Sequence, residues 1–304
     1  MWFKQIQLFE IGSTLRLTPE ELIPKLEQLA FIPCMPSMHQ SMGWISPADV
    51  EGEFIVSSLN GYRMICMQVE EKILPATVIR QEVNEAIKQL ETSQNRKLRQ
   101  NEKLALKDDI TMTLLPRAFS KFSKVYAYID TKNKLVVLNT TNAKKTEMFL
   151  SLFKKSVSDE IYSLDVKKLS SIMTPWLQNQ NYPSSFSIEK TAVLQDLNQE
   201  NRIIRARHQD LFVPGIQSLI KDGCAVVQLV LTWQDRVTFT LANDCTLSGV
   251  QFHDEVIAAA KDLDAETKQQ QVAADFLIMT ETLTQLLAEL LELVKVPAKS
   301  EAVA

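Results

Sequence analysis

Glycine is scarce in this chain, with 7 in 304 residues. None of them builds a glycine-rich phosphate loop or a nucleophile elbow, and the H-E-x-x-H pattern of metallopeptidases is missing as well. Histidine is scarcer still: His39, His208 and His253 lie far apart. The four cysteines, Cys34, Cys66, Cys224 and Cys245, make no Cys-x-x-Cys pair. A structural zinc site or disulfide framework is therefore not expected, and the thiols read as reduced and mostly buried. Long apolar runs are lacking too. The most apolar helix candidate, 273–294, carries Asp275, Glu281, Glu289 and Glu292, too many carboxylates for a bilayer helix. Met1-Trp2-Phe3-Lys4-Gln5 does not look like a signal peptide. The expectation is a soluble, intracellular protein with no membrane partner.

What the chain has is ordinary bulk composition and uneven charge. Hydrophobic residues make up 45% and charged ones 23%, as in globular proteins, and the length suggests about two domains. Net charge is −4 overall, yet residues 72–134 hold 13 Lys/Arg against 7 Asp/Glu, a net of +6, which leaves −10 for the rest. Such polarisation suits a polyanion such as DNA. Within the run, Arg96, Lys97 and Arg99 sit together. Helical spacing would set Arg99, Lys103 and Lys107 on one face, and Arg117, Lys121 and Lys124 continue past Pro116. A stripe of this kind suits a phosphate backbone, although mixed charge on a helix usually means only a solvated face.

Hydrophobic patterning gives the elements. Residues 2–11 alternate as a strand. Thr18-Pro19-Glu20-Glu21 opens a helix that runs to about Leu29, and 31–49, with three prolines, read as a loop. Asn60-Gly61 marks a hairpin within 54–73. Residues 76–112 read as helical, 124–139 as a hairpin turning at Asp130–Asn133, and 142–156 as an amphipathic helix. Residues 157–200 are mixed, with a short helix near Trp176. Residues 203–252 read as an antiparallel meander turning at Gln234-Asp235 and Asn243-Asp244, followed by helices over 254–293. The expected class is α+β: antiparallel sheets, as hairpins and a meander, with packed helices. The division is 1–75, an N-terminal α+β region; 76–123, a basic helical projection with a contact loop; and 124–304, a sheet-plus-helix region. Hairpin 124–139 with its helix and meander 203–252 with its helices could be distant structural repeats, though no residue-level repeat supports this.

No catalytic constellation can be assembled, so no catalytic, metal-binding or cofactor-binding residue is assigned. The carboxylate pairs Asp108-Asp109 and Asp254-Glu255 could hold Mg²⁺ in a nuclease. The plainer reading puts the first on a charged helical surface and the second at a helix start, where negative charge is favoured. His208, beside Arg205 and Arg207, reads as structural or phosphate-contacting rather than as a general base. Phe119 and Phe122, read as loop residues, have two readings: core anchors, the commoner case, or anchors of a protein interface.

Several segments carry a resemblance. Glu70-Glu71-Lys72-Ile73-Leu74-Pro75 and Leu114-Leu115-Pro116-Arg117-Ala118-Phe119-Ser120 are the most specific. Ala30-Phe31-Ile32-Pro33-Cys34, Met42-Gly43-Trp44, Ile204-Arg205-Ala206, Gln209-Asp210-Leu211 and Ala274-Asp275-Phe276 accompany them in order. Together they resemble the RdgC family of bacterial recombination-associated proteins. The resemblance implies two horseshoe-shaped subunits joined at both ends into a dimeric ring with a positive hole. It implies duplex DNA binding with little sequence preference, single-stranded DNA as a further partner, a place on the nucleoid in the cytoplasm, restraint of RecA-driven recombination, and no enzymatic activity. The matching DNA-facing positions are Arg96, Lys97 and Gln209, with Arg117 weaker, and Phe119 matches an aromatic at a ring-closing contact. The charge pattern adds Arg99, Lys103, Arg205 and Arg207. Arg99-Gln100 and Arg207-His208 depart from the lysine pairs common in the family. The alternatives are an acidic protein that binds a recombinase directly and a metal-dependent nuclease.

Overall fold

The computed structural model describes residues 1–12, 18–50, 52–57, 60–157, 161–166, 168–197, 199, 202–263 and 265–294. Its strands are β1 (Gln5–Ile11), β2 (Gln40–Ile45), β3 (Val56–Ser57), β4 (Tyr62–Ile73), β5 (Phe119–Asp130), β6 (Leu135–Leu138), β7 (Ile161–Ser163), β8 (Phe186–Asp196), β9 (Ile203–Arg207), β10 (Cys224–Trp233), β11 (Val237–Ala242) and β12 (Leu247–Phe252). Its helices are α1 (Pro19–Glu27), α2 (Ala76–Gln94), α3 (Gln100–Leu114), α4 (Ala143–Val157), α5 (Ser170–Asn179), α6 (Pro214–Lys221), α7 (Asp254–Lys261) and α8 (Lys268–Val294). The class is α+β. Among the described residues, no helix is long and apolar enough to cross a membrane.

The strands form one antiparallel sheet in the order β2-β4-β5-β6-β1-β12-β11-β10-β8-β9, with β3 beside β4 and β7 beside β1. β1 is the seam. Gln5 and Ile6 pair with Ser248 and Leu247 of β12, Gln7 to Glu10 pair with β6, and Phe9 to Ile11 also pair with β7. Because side chains alternate across a strand, β1 feeds two cores. Ile6 and Leu8 join Tyr62, Met64, Tyr128 and Val137 under α8, in a core that continues through β8–β12 to α5, α6 and α7. Phe9 and Ile11 join Ile65, Met67, Val125 and Ile129 under α1 and α4. Trp44 closes that second core, edge-on to Phe149 and Phe153, with its indole N–H donated to Ser156 Oγ at 2.8 Å.

The two sheet halves differ in what covers them. β1, β6 and residues 62–69 of β4 and 125–130 of β5 pack on both faces, against α8 on one side and α1 and α4 on the other, while β2 contributes only to the second core, through Met42 and Trp44. On β8–β12, one face packs on α5–α8. The other alternates to half-buried or exposed Thr191, Val193, Gln195, Gln228, Val230, Thr240 and Ser248, with Arg205 and Arg207 exposed on the last strand. It stays open because threonine, glutamine and arginine do not gain from burial under a helix.

Five expectations are corrected. The meander expected over 203–252 is confined to β10-β11-β12, because α6 interrupts the span and β9 pairs with β8 instead of β10. Residues 31–49 contain the strand β2, paired along β4 from Gln40↔Glu71 to Ile45↔Cys66; the flanking prolines hid it. Gly43 is required there, since a Cβ would lie 2.4 Å from the Phe31 Cα. Residues 76–112 are two helices, α2 and α3, because Asn95 turns left-handed (φ 49) and ends the first. Phe119 and Phe122 belong to β5 rather than to a loop, paired with Ile73 and Glu70 of β4. Finally, 186–196 is the long strand β8, whose apolar period Phe186, Ile188, Ala192, Leu194 is broken by Lys190.

Candidate nucleic-acid interface

α2 and α3 pack on each other as an antiparallel arm, and neither helix buries a residue. Their connection, 95–99, is an ordered turn. Leu98 is buried as a plug, and its N–H is donated to Glu91 Oε1 at 3.0 Å. Glu102 accepts the Arg99 N–H at 2.7 Å and both Arg96 guanidinium nitrogens, at 2.9 and 2.6 Å. That Arg96 fork and the Arg99 N–H hold the Glu102 carboxyl down at about 2. Lys103 Nζ lies 3.7 Å from Glu91 Oε1. The expected basic helix is thus a basic turn. α3 itself carries Lys103 and Lys107 against Glu102, Asp108 and Asp109, a net of −1. Arg96 and Lys103 are occupied by carboxylates, whereas Lys97 and Arg99 project from the tip with no salt bridge among the described residues.

A second basic group sits at the root of the arm, so the linear run of charge is split in space. Arg117 is exposed at the end of a single 3-10 turn, Leu115–Arg117, that is pinned by fully buried Leu115. Two residues on, Phe119 is 84% exposed, and Phe122 is 55% exposed beside Phe31, ring centroids 6.4 Å apart. Of the two readings of Phe119, the core anchor is excluded. Buried Glu70 braces this corner: its Oε2 accepts the Cys34 N–H at 2.7 Å, and the bonds from Ser120 and Cys34 hold its carboxyl below the usual range.

The third group lies on the open sheet face. β9 pairs with β8, with Arg205 opposite Val193 and Arg207 opposite Thr191, so both guanidinium groups point to the same side. They border a trough of 390 Å³ floored by Thr191, Val193, Thr240 and Ser248. His208 follows in a left-handed turn (φ 53), and the Gln209 N–H is donated to the Lys190 carbonyl at 3.3 Å. The threonine and glutamine floor was not anticipated: β8 was missed, and threonine in a strand is commonplace.

A family model described as "RdgC: Putative exonuclease, RdgC" matches residues 1–296. Proteins named Recombination-associated protein RdgC from Yersinia enterocolitica, Yersinia pestis and Yersinia pseudotuberculosis are similar to this chain. Each is 34% identical over 294 residues, covering 96% of this chain and 97% of its own length. The chain belongs to the RdgC family. Because the family description mentions a nuclease, the carboxylates matter. Asp108 and Asp109 are exposed on α3, and Asp254 and Glu255 occupy the first turn of α7 behind His253. Among the described residues, no three His, Cys, Asp or Glu side chains converge as a metal site would require.

Proposed function

We propose that this RdgC-family protein binds duplex DNA with little sequence preference, closes around it as a dimeric ring and restrains RecA-mediated recombination by occupying the DNA. On this reading it works on the nucleoid in the cytoplasm and has no catalytic role of its own. The observation that carries the reading is the placement of the free cations. Lys97 and Arg99 cap a projecting arm, and Arg205 and Arg207 edge an open polar sheet face. Cations on threonine- and glutamine-rich ground neutralise phosphates without reading base edges. The exposed Phe119 at the arm root supports ring closure, since an isologous contact would place the same aromatic on both partners.

A gel shift on linear duplexes of unrelated sequence over a salt series, paired with a native mass measurement, tests this. Expected are a dimer, similar affinities for all sequences and steep weakening with salt; a monomer, or a defined preferred site, would overturn it. Excess naked DNA should relieve inhibition of RecA strand exchange, whereas a protein that acts by gripping the recombinase would stay inhibitory. Plasmid incubated with Mg²⁺ should stay intact, and a nicked or shortened product would favour the nuclease. Phe119→Ala should keep the wild-type melting temperature and dimer but leave closed circular DNA faster; wild-type residence on circles would remove Phe119 from the closure.

A further inference from the structure

We propose that the cavity at the seam of the sheet receives a nucleobase swung out of the DNA stack. This rests on the reading that DNA lies along the open face. The cavity measures 660 Å³ and lies where β1 and β7 meet the ends of β8, β10 and β11, within the range of about 300–1,000 Å³ typical of small-ligand sites. It adjoins the arginine-edged trough, with Gln228 lining both. A strand held by Arg205 and Arg207 therefore has the cavity as its neighbour.

The lining chemistry favours a neutral, planar, acceptor-bearing group. Leu8, Leu164 and Val166 give apolar walls. Two amides there are fixed through their oxygens: Gln7 Oε1 accepts Thr146 Oγ1–H at 2.8 Å, and Asn243 Oδ1 accepts the Ser170 N–H at 2.7 Å. Their NH₂ groups and the Lys168 ammonium have no hydrogen-bond partner among the described residues. The site is thus rich in donors, while exposed Gln228 offers both a donor and an acceptor. Lys168 is offset by Asp244, whose Oδ1 accepts the Thr246 N–H and hydroxyl at 3.1 and 2.7 Å. With its charges balanced, the cavity suits a base better than a phosphate. Every base carries ring or carbonyl acceptors on its edges, so donors alone admit any of the four. That agrees with binding of low sequence preference.

Extruding a paired base costs a few kcal/mol, and least where the base is already unpaired. The site should therefore show itself as a preference for DNA with an unpaired base. The test uses the full chain and two duplexes identical except that one carries 2-aminopurine opposite an abasic site and the other carries it paired with thymine. Because the unpaired base is spared most of that extrusion cost, the abasic duplex should bind about tenfold tighter or more, with a rise in 2-aminopurine fluorescence as the base leaves the stack. Gln228→Trp, at an exposed position, should fill the mouth and bring the ratio of the two affinities to about one; Gln228→Leu should lower it only in part. Because the readout is a ratio, any general loss of DNA binding cancels. Equal wild-type affinities with unchanged fluorescence would overturn the cavity proposal and leave the DNA-binding reading standing. A preference that survives Gln228→Trp would place the base elsewhere and overturn it too. Failure to bind either duplex would overturn the reading beneath it.

Discussion

Helices pack on both faces of the sheet where β4, β5, β6 and β1 run together but on only one face of β12, β11, β10, β8 and β9. The pairing is antiparallel throughout, so backbone geometry does not separate the halves. The difference is in the alternate side chains. Opposite the α8 side, β4 and β5 present Ile65, Met67, Val69, Val125, Ala127 and Ile129 to α1 and α4. Opposite the same core, β8 and β11 present Thr191, Val193, Thr238 and Thr240 to the open side. Strands buried on both faces read as nearly continuous apolar runs, and strands with one wet face alternate. One half of the sheet is buried on both faces, and the other leaves one face uncovered by helices.

The largest effect that could break this contrast lies in the doubly covered half. Trp44→Ala removes a fully buried ring wedged against Phe149 and Phe153 and should cost about 3–5 kcal/mol. Thr240→Ala, on the open face, should stay within about 0.5 kcal/mol. Urea unfolding midpoints measure both, and similar losses at the two sites would show that the halves are not different in kind.

Next in size is the open half's own role. Arg205→Glu with Arg207→Glu changes exposed side chains on an edge strand, so the melting temperature should hold. The slope of log K against log salt should flatten by about 1.8 if each arginine meets one phosphate, at about 0.9 per phosphate. A wild-type slope would mean that the open face does not meet DNA, whatever the arm does.

The sequence disclosed local structure well and spatial assembly poorly. Asn60-Gly61 was legible because Gly61 adopts φ 86. The turn at Asp130–Asn133 was legible because the Asp130 carboxylate accepts the Lys132 and Asn133 N–H groups and the Asn133 amide. Gln234 and Asp235 turn left-handed between β10 and β11 as expected. The seam was not legible: β1 pairs with β6, β7 and β12, and no local period encodes partners more than a hundred residues away. The charge run misled for a related reason. The 19-residue helix α2, about 28 Å long at 1.5 Å per residue, separates the cations at the tip from those at the root. Arg205 and Arg207 were easier to place, because i and i+2 on a strand share a face in any fold.

The smallest expected effect concerns the arm, the other seat of free cations, and sharpens the contrast by asking whether the tip can loosen while both sheet halves stay intact. Glu102 organises the turn through Arg96 and the Arg99 N–H, and its carboxyl titrates at about 2 instead of the ordinary 4.5. A carboxylate whose value falls on folding stabilises the fold above its unfolded value, and that contribution is lost as pH drops through the folded one. The tip's order should therefore be full above pH 4.5 and fade between 4.5 and about 2. Hydrogen exchange at the Arg99 amide, corrected for intrinsic pH dependence, should speed up across that window, while the β10–β11 ladder amides keep their protection. Glu102→Gln retains an acceptor but loses the charge, so its Arg99 amide should exchange faster than wild type near neutral pH and show no step below it. If the wild-type step persists in Glu102→Gln, a different carboxylate holds the tip. If Arg99 and the ladder lose protection together, the arm unfolds with the sheet and is not a separate unit.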